Sequence, residues 1–427
     1  MEKSSYRRTG TPSPRFYGWY LLGAAWLIYG FGLAPGYYSW GFFTPEVIND
    51  LGLSRTDAGA VFGAFTMVYS CIGPLTGILI SRWGVRATIV CGSLISALGF
   101  LLLSYADSLI GCFVCYSVMA GTGIGLSTIL PCQTLATQWF TRYRARAVAI
   151  IFIAGGIVGR IVAEFDAWIL QWYSWRGGWQ AIAGVSVLLA AVAALFVRNH
   201  PSDIGQYPDG LAPDDTPETA ASDSAVTVAD TWTVGEAILT REFAVLCLSG
   251  IAHLVPWCVV VVHGRLHLED IGFSTSAAAS VLGTMVMITI VGRLAGSLGD
   301  FILPQKVVGC ALLAESLGML GVMSATELWI AYAATALVAL GFGTANTAIA
   351  VVMSTFFGRE AFARTTGIRL FIMGGVAAVA PPAAGWIYES TGSYQIAFVM
   401  IALLAGVVGV ATLRLRAPLQ NAVTQVP

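Results

Sequence analysis

The chain has 427 residues, of which 57% are apolar and 11% charged. Soluble domains carry about a quarter charged residues, so this is an integral membrane protein. A net charge of −1 argues against a nucleic-acid partner. Its eight cysteines lie almost entirely inside apolar runs, where they act as small packing or lipid-facing residues. Cys112 and Cys115 form a C-x-x-C without a second pair or a nearby His, so no metal set is completed and no cofactor is expected.

A membrane helix needs about 20 mostly apolar residues. The chain supplies twelve such runs, near 17–43, 56–80, 84–105, 109–138, 145–171, 178–198, 243–263, 275–299, 304–324, 327–356, 361–388 and 393–414. Residues 1–16 are polar and contain Lys3, Arg7, Arg8 and Arg15. The first run is too long for a signal-peptide core, so it is the first span. Between 199 and 241 the composition shifts to Pro, Asp, Ser, Thr and Gly, which predicts a solvated linker with little to bury. Thr233–Arg241 is expected to form a short interfacial helix before the seventh span. The predicted order is a tail (1–16), a six-helix bundle (17–198), the linker (199–241), a second six-helix bundle (242–415) and a tail (416–427). This is an all-α membrane protein of twelve helices.

Basic residues set the orientation. Lys3, Arg7, Arg8, Arg15, Arg82, Arg86, Arg142, Arg144, Arg146, Arg198, Arg241, Lys306, Arg359, Arg364, Arg414 and Arg416 fall on one side; Arg55, Arg176 and Arg265 fall on the other. Both termini and the linker are therefore expected in the cytoplasm. His267 is expected at the outer surface.

The halves repeat. GPLTGILIS (73–81) aligns with GRLAGSLGD (292–300), an offset of 219. QWFTRYRARAVAI (138–150) and TFFGREAFARTTGI (355–368) occupy matching loops, and GWQAIA (178–183) matches SYQIAF (393–398) at an offset of 215. Near-constant offsets indicate an internal duplication. Secondary transporters commonly place a midplane site between two such halves and expose it by rocking one against the other.

Within that frame, Arg293 has about sixteen apolar or small residues before it in the eighth run. An arginine there costs roughly 2.5–3.5 kcal/mol on insertion scales, so it is expected to face a cavity, a partner or a substrate. Its counterpart in the first half is Pro74, so the scaffold can be built without it. A guanidinium offers a planar fork to a carboxylate. The competing structural use is pairing with Glu164 or capping carbonyls.

Arg160 and Glu164 are four apart on the fifth helix and can neutralise each other. Alternatively, Glu164 takes a proton and frees Arg160 as a gate or second anion contact. Asp166 follows on a different face. His253 and His263 of the seventh run could hydrogen-bond structurally, donate to a carboxylate or relay protons. Tyr29, Tyr37, Tyr38, Thr128, Gln133, Thr289 and Asn346 lie in or near spans and could line a pocket or pack between helices. Arg369 is expected to snorkel to the cytoplasm.

The chain resembles the major facilitator superfamily. More narrowly it resembles the monocarboxylate transporter family and its bacterial relatives, which include oxalate/formate exchangers. The resemblance is carried by YGWYLLGAAWLIYGFG, GILISRWGVR, WFTRYRARAVAI, SWRGGWQ, PSDIGQYPDG, HGRLHLEDIGFS, GRLAGSLGD and PPAAGWIYESTGSYQIAF. It implies the major facilitator fold, a plasma-membrane monomer, a small carboxylate anion as substrate and Arg293 as its anchor. Proton-coupled members carry an aspartate four residues before that arginine and a lysine late in the first helix; here the positions are Thr289 and Tyr37. Ser81 replaces the acidic residue of the loop motif after the second span. The family implies proton symport, whereas the missing aspartate and lysine favour exchange or a proton site among Glu164, Asp166, His253 and His263. A membrane sensor would need a signalling domain that the sequence does not show, and a membrane enzyme would need a clustered His, Cys or acidic set.

Overall fold

The computed structural model describes residues 16–141, 143–210 and 232–418, with the backbone alone for Arg144, Ala145, Asp300 and 358–363. The basic residues Lys3, Arg7, Arg8, Arg15 and Arg142, most of the linker and the last nine residues lie outside the described residues. The membrane helices are α1 (Gly18–Leu51), α2 (Arg55–Cys71), α3 (Gly73–Leu103), α4 (Leu109–Trp139), α5 (Arg144–Trp172), α6 (Trp175–Phe196), α7 (Arg241–Asp270), α8 (Thr275–Gly296), α9 (Pro304–Met323), α10 (Leu328–Phe357), α11 (Arg364–Thr391) and α12 (Gln395–Leu413). Ten of these are long and apolar enough to cross a membrane; α1 and the α2–α3 segment before Gly84 complete the twelve. No strand occurs among the described residues.

Two of the boundaries are hidden inside continuous helical bonding. Gly84 sits within α3 at φ 83° and ψ 165°, a backbone that L side chains rarely adopt. Thr76 donates to Gly125 O of α4, while Gly92 is close against Gly123 of the same helix. The chain therefore reverses at Gly84, and the residues before it continue the path of α2. The Asn199 side chain lies against this glycine, and its Oδ1 accepts from the Arg86 amide at 3.0 Å.

Helical bonding likewise runs unbroken from Leu328 to Thr391, 64 residues. At 1.5 Å per residue that is roughly 96 Å of helix, about three times the thickness of a bilayer core. Phe342 packs on His253 at a ring separation of 4.7 Å, and Arg369 reaches the adjacent Gly250. Phe342 and Arg369 thus lie at one level of α7, so the chain passes out and back between them as α10 and α11.

The halves meet along α1–α7, α2–α11 and α5–α8. The contact needs glycine. A Cβ on Gly41 would lie 1.8 Å from Val261 O, and one on Gly63 would lie 2.0 Å from Ala378 O. The second approach has a cause in the sequence: Pro382 has no N–H for Ala378 O, so that carbonyl is left to face α2. The small residues bring backbones together where lipid supplies no hydrophobic drive. α4 contains a π-helical stretch, Phe113–Ala120, from within which Tyr116 donates to Gly36 O of α1 at 2.9 Å.

The start of the linker is mostly exposed but is anchored at two points. Gln206 Oε1 accepts from the Tyr17 amide at 2.9 Å, and Asp209 Oδ2 accepts from the Thr141 amide at 2.9 Å. Backbone amides at helix ends supply the partners that a polar loop needs. The short helix expected over Thr233–Arg241 spans Val234–Ile238, with a capping box between Thr233 and Glu236. The Thr233 hydroxyl and amide hold the Glu236 carboxyl below the usual carboxylate range.

Candidate functional site

Between the halves lies a cavity of about 380 Å³. That is within the range of small-molecule sites. Its wall includes Tyr37, Tyr69 and Ser70 from the first half and His253, Phe342, Asn346 and Arg369 from the second. The structure thus brings together three sequence-predicted residues, Tyr37, His253 and Asn346. It adds Arg369, which does not snorkel: it is 7% exposed, its Nη1 contacts Met373 Sδ at 3.6 Å and its Nε has no hydrogen-bond partner. Asn346 is exposed to the cavity and Tyr37 is bonded through its hydroxyl to Cys258 Sγ at 3.7 Å.

Arg293 occupies the last turn of α8 and reaches the other half. Its Nη1 donates to Phe152 O of α5 at 3.0 Å, and its guanidinium lies 5.8 Å from the Phe152 ring centre. The Tyr29 and Tyr38 hydroxyls are within its electrostatic reach. Tyr38 packs edge-on to the cavity residue Tyr37 at 5.4 Å. Arg293 therefore stands beside the chamber, behind a tyrosine wall. Of its two competing structural uses, the pairing with Glu164 is absent, since Glu164 accepts from Arg160 within α5, while the bond to Phe152 O is a carbonyl contact of the other kind.

Among the described residues, the arginines embedded between helices divide into two sets. Arg55, Arg160, Arg176 and Arg265 each have a carboxylate partner. Arg293 and Arg369 have none.

The chamber is sealed at one end. The described residues make nine hydrogen bonds between the halves, and seven of them lie at the Arg55 end. Arg55 holds Asp270 at 2.5 and 2.9 Å, donates to Tyr394 and covers the Tyr388 ring at 3.7 Å. Arg265 forks onto Glu46 at 2.7 Å on both arms, binds Glu269 at 2.8 Å and donates to Phe42 O. It is only 3% exposed, so it belongs to the seam and not to an outer loop. His267, expected at the surface, is 6% exposed and bonds Val322 O at 3.0 Å.

The remaining candidates are placed apart from the chamber. His263 is committed through both ring nitrogens, to Pro381 O at 2.8 Å and to the Tyr394 hydroxyl at 3.0 Å. Thr289 donates to Val286 O at 2.7 Å in its own helix. Arg160 faces Gly283 of α8. Asp166 is fully buried beside the Ser39 hydroxyl, and its carboxyl oxygens have no other hydrogen-bond partner. Asp166 and Tyr38 line a separate pocket of about 30 Å³, room for about one water.

One buried acid escaped the sequence reading. Glu315 of α9 is 0% exposed with both oxygens unbonded, and its Oε1 is 3.8 Å from His253 Nδ1. The signal was present: it is the single charge between Lys306 and Glu327. All eight cysteines are unbridged, and no group of three metal-ligating side chains occurs among the described residues.

Comparison with known proteins agrees with this arrangement. The Major Facilitator Superfamily profile matches residues 25–300 and 266–426. Mouse Monocarboxylate transporter 11 is 25% identical over 403 residues, covering 90% of this chain and 84% of that protein. Bovine Monocarboxylate transporter 13 is 28% identical over 344 residues, covering 78% and 74%. The crystal structure of a D-xylose–proton symporter superposes with a TM-score of 0.70 at 16% identity, over 93% of this chain and 98% of that one. A bacterial homologue of the human lysosomal transporter Spinster, in an inward-facing and occupied conformation, gives 0.68 at 16%, over 94% and 95%. With two six-helix halves, a chamber between them and a family profile that matches most of its length, the chain is a multi-pass membrane transporter and belongs to the major facilitator superfamily.

Proposed function

We propose that the protein moves small organic monocarboxylates, of the lactate, pyruvate or acetate kind, across the plasma membrane by alternating access. Arg369 carries this reading: a buried guanidinium with no carboxylate beside it, on the wall of a cavity large enough for such an anion. A ligand carboxylate would supply the charge and the acceptors that the protein withholds. Arg293, without an acid and next to Tyr29 and Tyr38, serves as the second cation, reached when the halves shift. The similarity to monocarboxylate transporters supports the same ligand class. The basic residues described at helix ends on the terminal side support cytoplasmic termini. On that orientation, the sealed end faces outward.

A second reading is favoured by the same pair of arginines. Two unpaired guanidiniums on α8 and α11 would also suit exchange of a compact dicarboxylate of the oxalate kind.

The test is uptake of labelled lactate, pyruvate and oxalate into vesicles holding the purified protein. Arg369→Ala is expected to weaken substrate affinity roughly ten- to hundredfold, from about 1.5–3 kcal/mol for charge-assisted hydrogen bonds. Arg369→Lys should recover part of it, since charge survives but the fork does not. Arg293→Ala is expected to lower the transport rate as well as the affinity. Wild-type affinity in both alanine variants would refute the anion-anchor reading. Uptake that requires a counter-anion inside the vesicle would select exchange.

A further inference from the structure

Glu315 and His253 have no place in the function proposed so far, yet they form the only pair of facing, unbonded ionisable side chains among the described residues. Glu315 comes from α9 and His253 from α7, and Nδ1 to Oε1 is 3.8 Å. The imidazole is 3% exposed and the carboxyl not at all. Each lacks a hydrogen-bond partner at the atoms that face each other. Buried polar groups are nearly always bonded, and an ionisable group inside a membrane bundle marks a pathway more often than a scaffold.

The surroundings are specific. α10 approaches Glu315 through Gly341, where an added Cβ would lie 2.4 Å from Glu315 Cγ, and through Phe342, whose ring covers His253. Neither residue carries charge, and α12, also packed on α9, has no ionisable side chain between Gln395 and Leu413. Facing His253 from α11 is Arg369, and from α1 across the cavity Tyr37; Cys247 lies one and a half turns back on α7, and Cys258 beyond Trp257. His253 alone of the pair touches the cavity; Glu315 lies behind it. Tyr69 of α2 lines the same cavity, and among the described residues the imidazole is the titratable group that touches both cavity water and the carboxyl.

We infer that Glu315 and His253 form a proton-binding site that loads and unloads through the central cavity, with occupancy tied to the anion at Arg369. In the loaded state the anion neutralises Arg369, Glu315 carries the proton and His253 is neutral. On release, the anion leaves Arg369. The proton leaves Glu315, passes through the imidazole (taken up at one ring nitrogen, given up at the other) and ends on cavity water. Glu315 is then an anion across the imidazole from the Arg369 cation. Both states carry the same net charge, so one proton travels with each monocarboxylate. The coupling rests on the carboxylate reading; the proton site itself does not.

Two measurements separate them. The first uses no carboxylate. Infrared difference spectra of the purified transporter, recorded across pH, should show a protonated-carboxyl band that bleaches as pH rises. The band should be missing in Glu315→Gln, and in His253→Gln it should persist without bleaching over the same range. A wild-type spectrum whose carboxyl band is unchanged in Glu315→Gln overturns the proton site, as does a His253→Gln band that titrates like wild type. The second measurement adds lactate to weakly buffered protein and records pH. Wild type should take up one proton per lactate bound and Glu315→Gln none. Lactate binding without proton uptake by wild type overturns the coupling. A positive infrared result with no lactate binding refutes the ligand assignment and leaves the proton site standing.

Discussion

Arg265 and Arg369 bury the same guanidinium almost equally, at 3% and 7% exposure, and the protein treats them in opposite ways. Arg265 has Glu46, Glu269 and Phe42 O around it. Removing one partner of a buried pair costs about 3–5 kcal/mol. Glu46 and Glu269 are 32% and 26% exposed, so water offsets part of that, and Arg265→Ala should cost about 1–3 kcal/mol. The check is a thermal unfolding midpoint several degrees below wild type, with Glu46→Gln causing a smaller drop. Arg369→Ala, by contrast, removes a buried cation with no carboxylate in contact, and its midpoint should stay at or above wild type while affinity falls.

At the same scale, the sequence is legible where cost is local and opaque where it is shared. Arg293 stands out by counting along one run. Arg369 reads as shallow when depth is counted from the start of its own run, whereas it lies level with Gly250, about nine residues into α7. Glu315 satisfies the same cost argument as Arg293, but its neighbour His253 is 62 positions away, and no spacing rule links them.

At the scale of helices, apolar composition and run length place nearly all spans, because each must satisfy its own backbone in lipid. The run edges near 80–84 and near 360 anticipate the two reversals that continuous helical bonding conceals. What the runs do not show is which faces meet, since lipid-facing and helix-facing residues are equally apolar. The α2–α11 seam depends on Gly63 meeting the carbonyl released by Pro382. Gly63→Ala would force backbone apart at that point. Overpacking a fitted interface costs about 1–3 kcal/mol, roughly one to two decades in the ratio of sealed to unsealed conformers. Cysteines placed at 55 and 270 should then cross-link markedly more slowly than in the same pair without the alanine. An equal rate would mean that the seam relaxes around the methyl group.

For the whole molecule, the duplication is legible in three aligned stretches, and two similar halves around a chamber follow from it. Which end is sealed does not follow, because both conformers satisfy the same repeat. Here the Arg55 end holds seven of the nine bonds between halves, and rocking must break those seven before the cavity opens there. The occupancy of the opposite conformer therefore sets the apparent affinity for a ligand offered from the Arg55 side, which is the intrinsic affinity scaled by the competent fraction. Arg55→Gln removes contacts made only when sealed, worth about 1 kcal/mol for a partly exposed cluster, or about fivefold in that fraction. Lactate presented to the Arg55 face of oriented vesicles should then half-saturate at a several-fold lower concentration than with wild type, and lactate presented to the other face at an unchanged or higher one. The ion pair that closes the protein would thus act as a toll on one direction of travel, making the same binding site a strong receptor from one compartment and a weak one from the other.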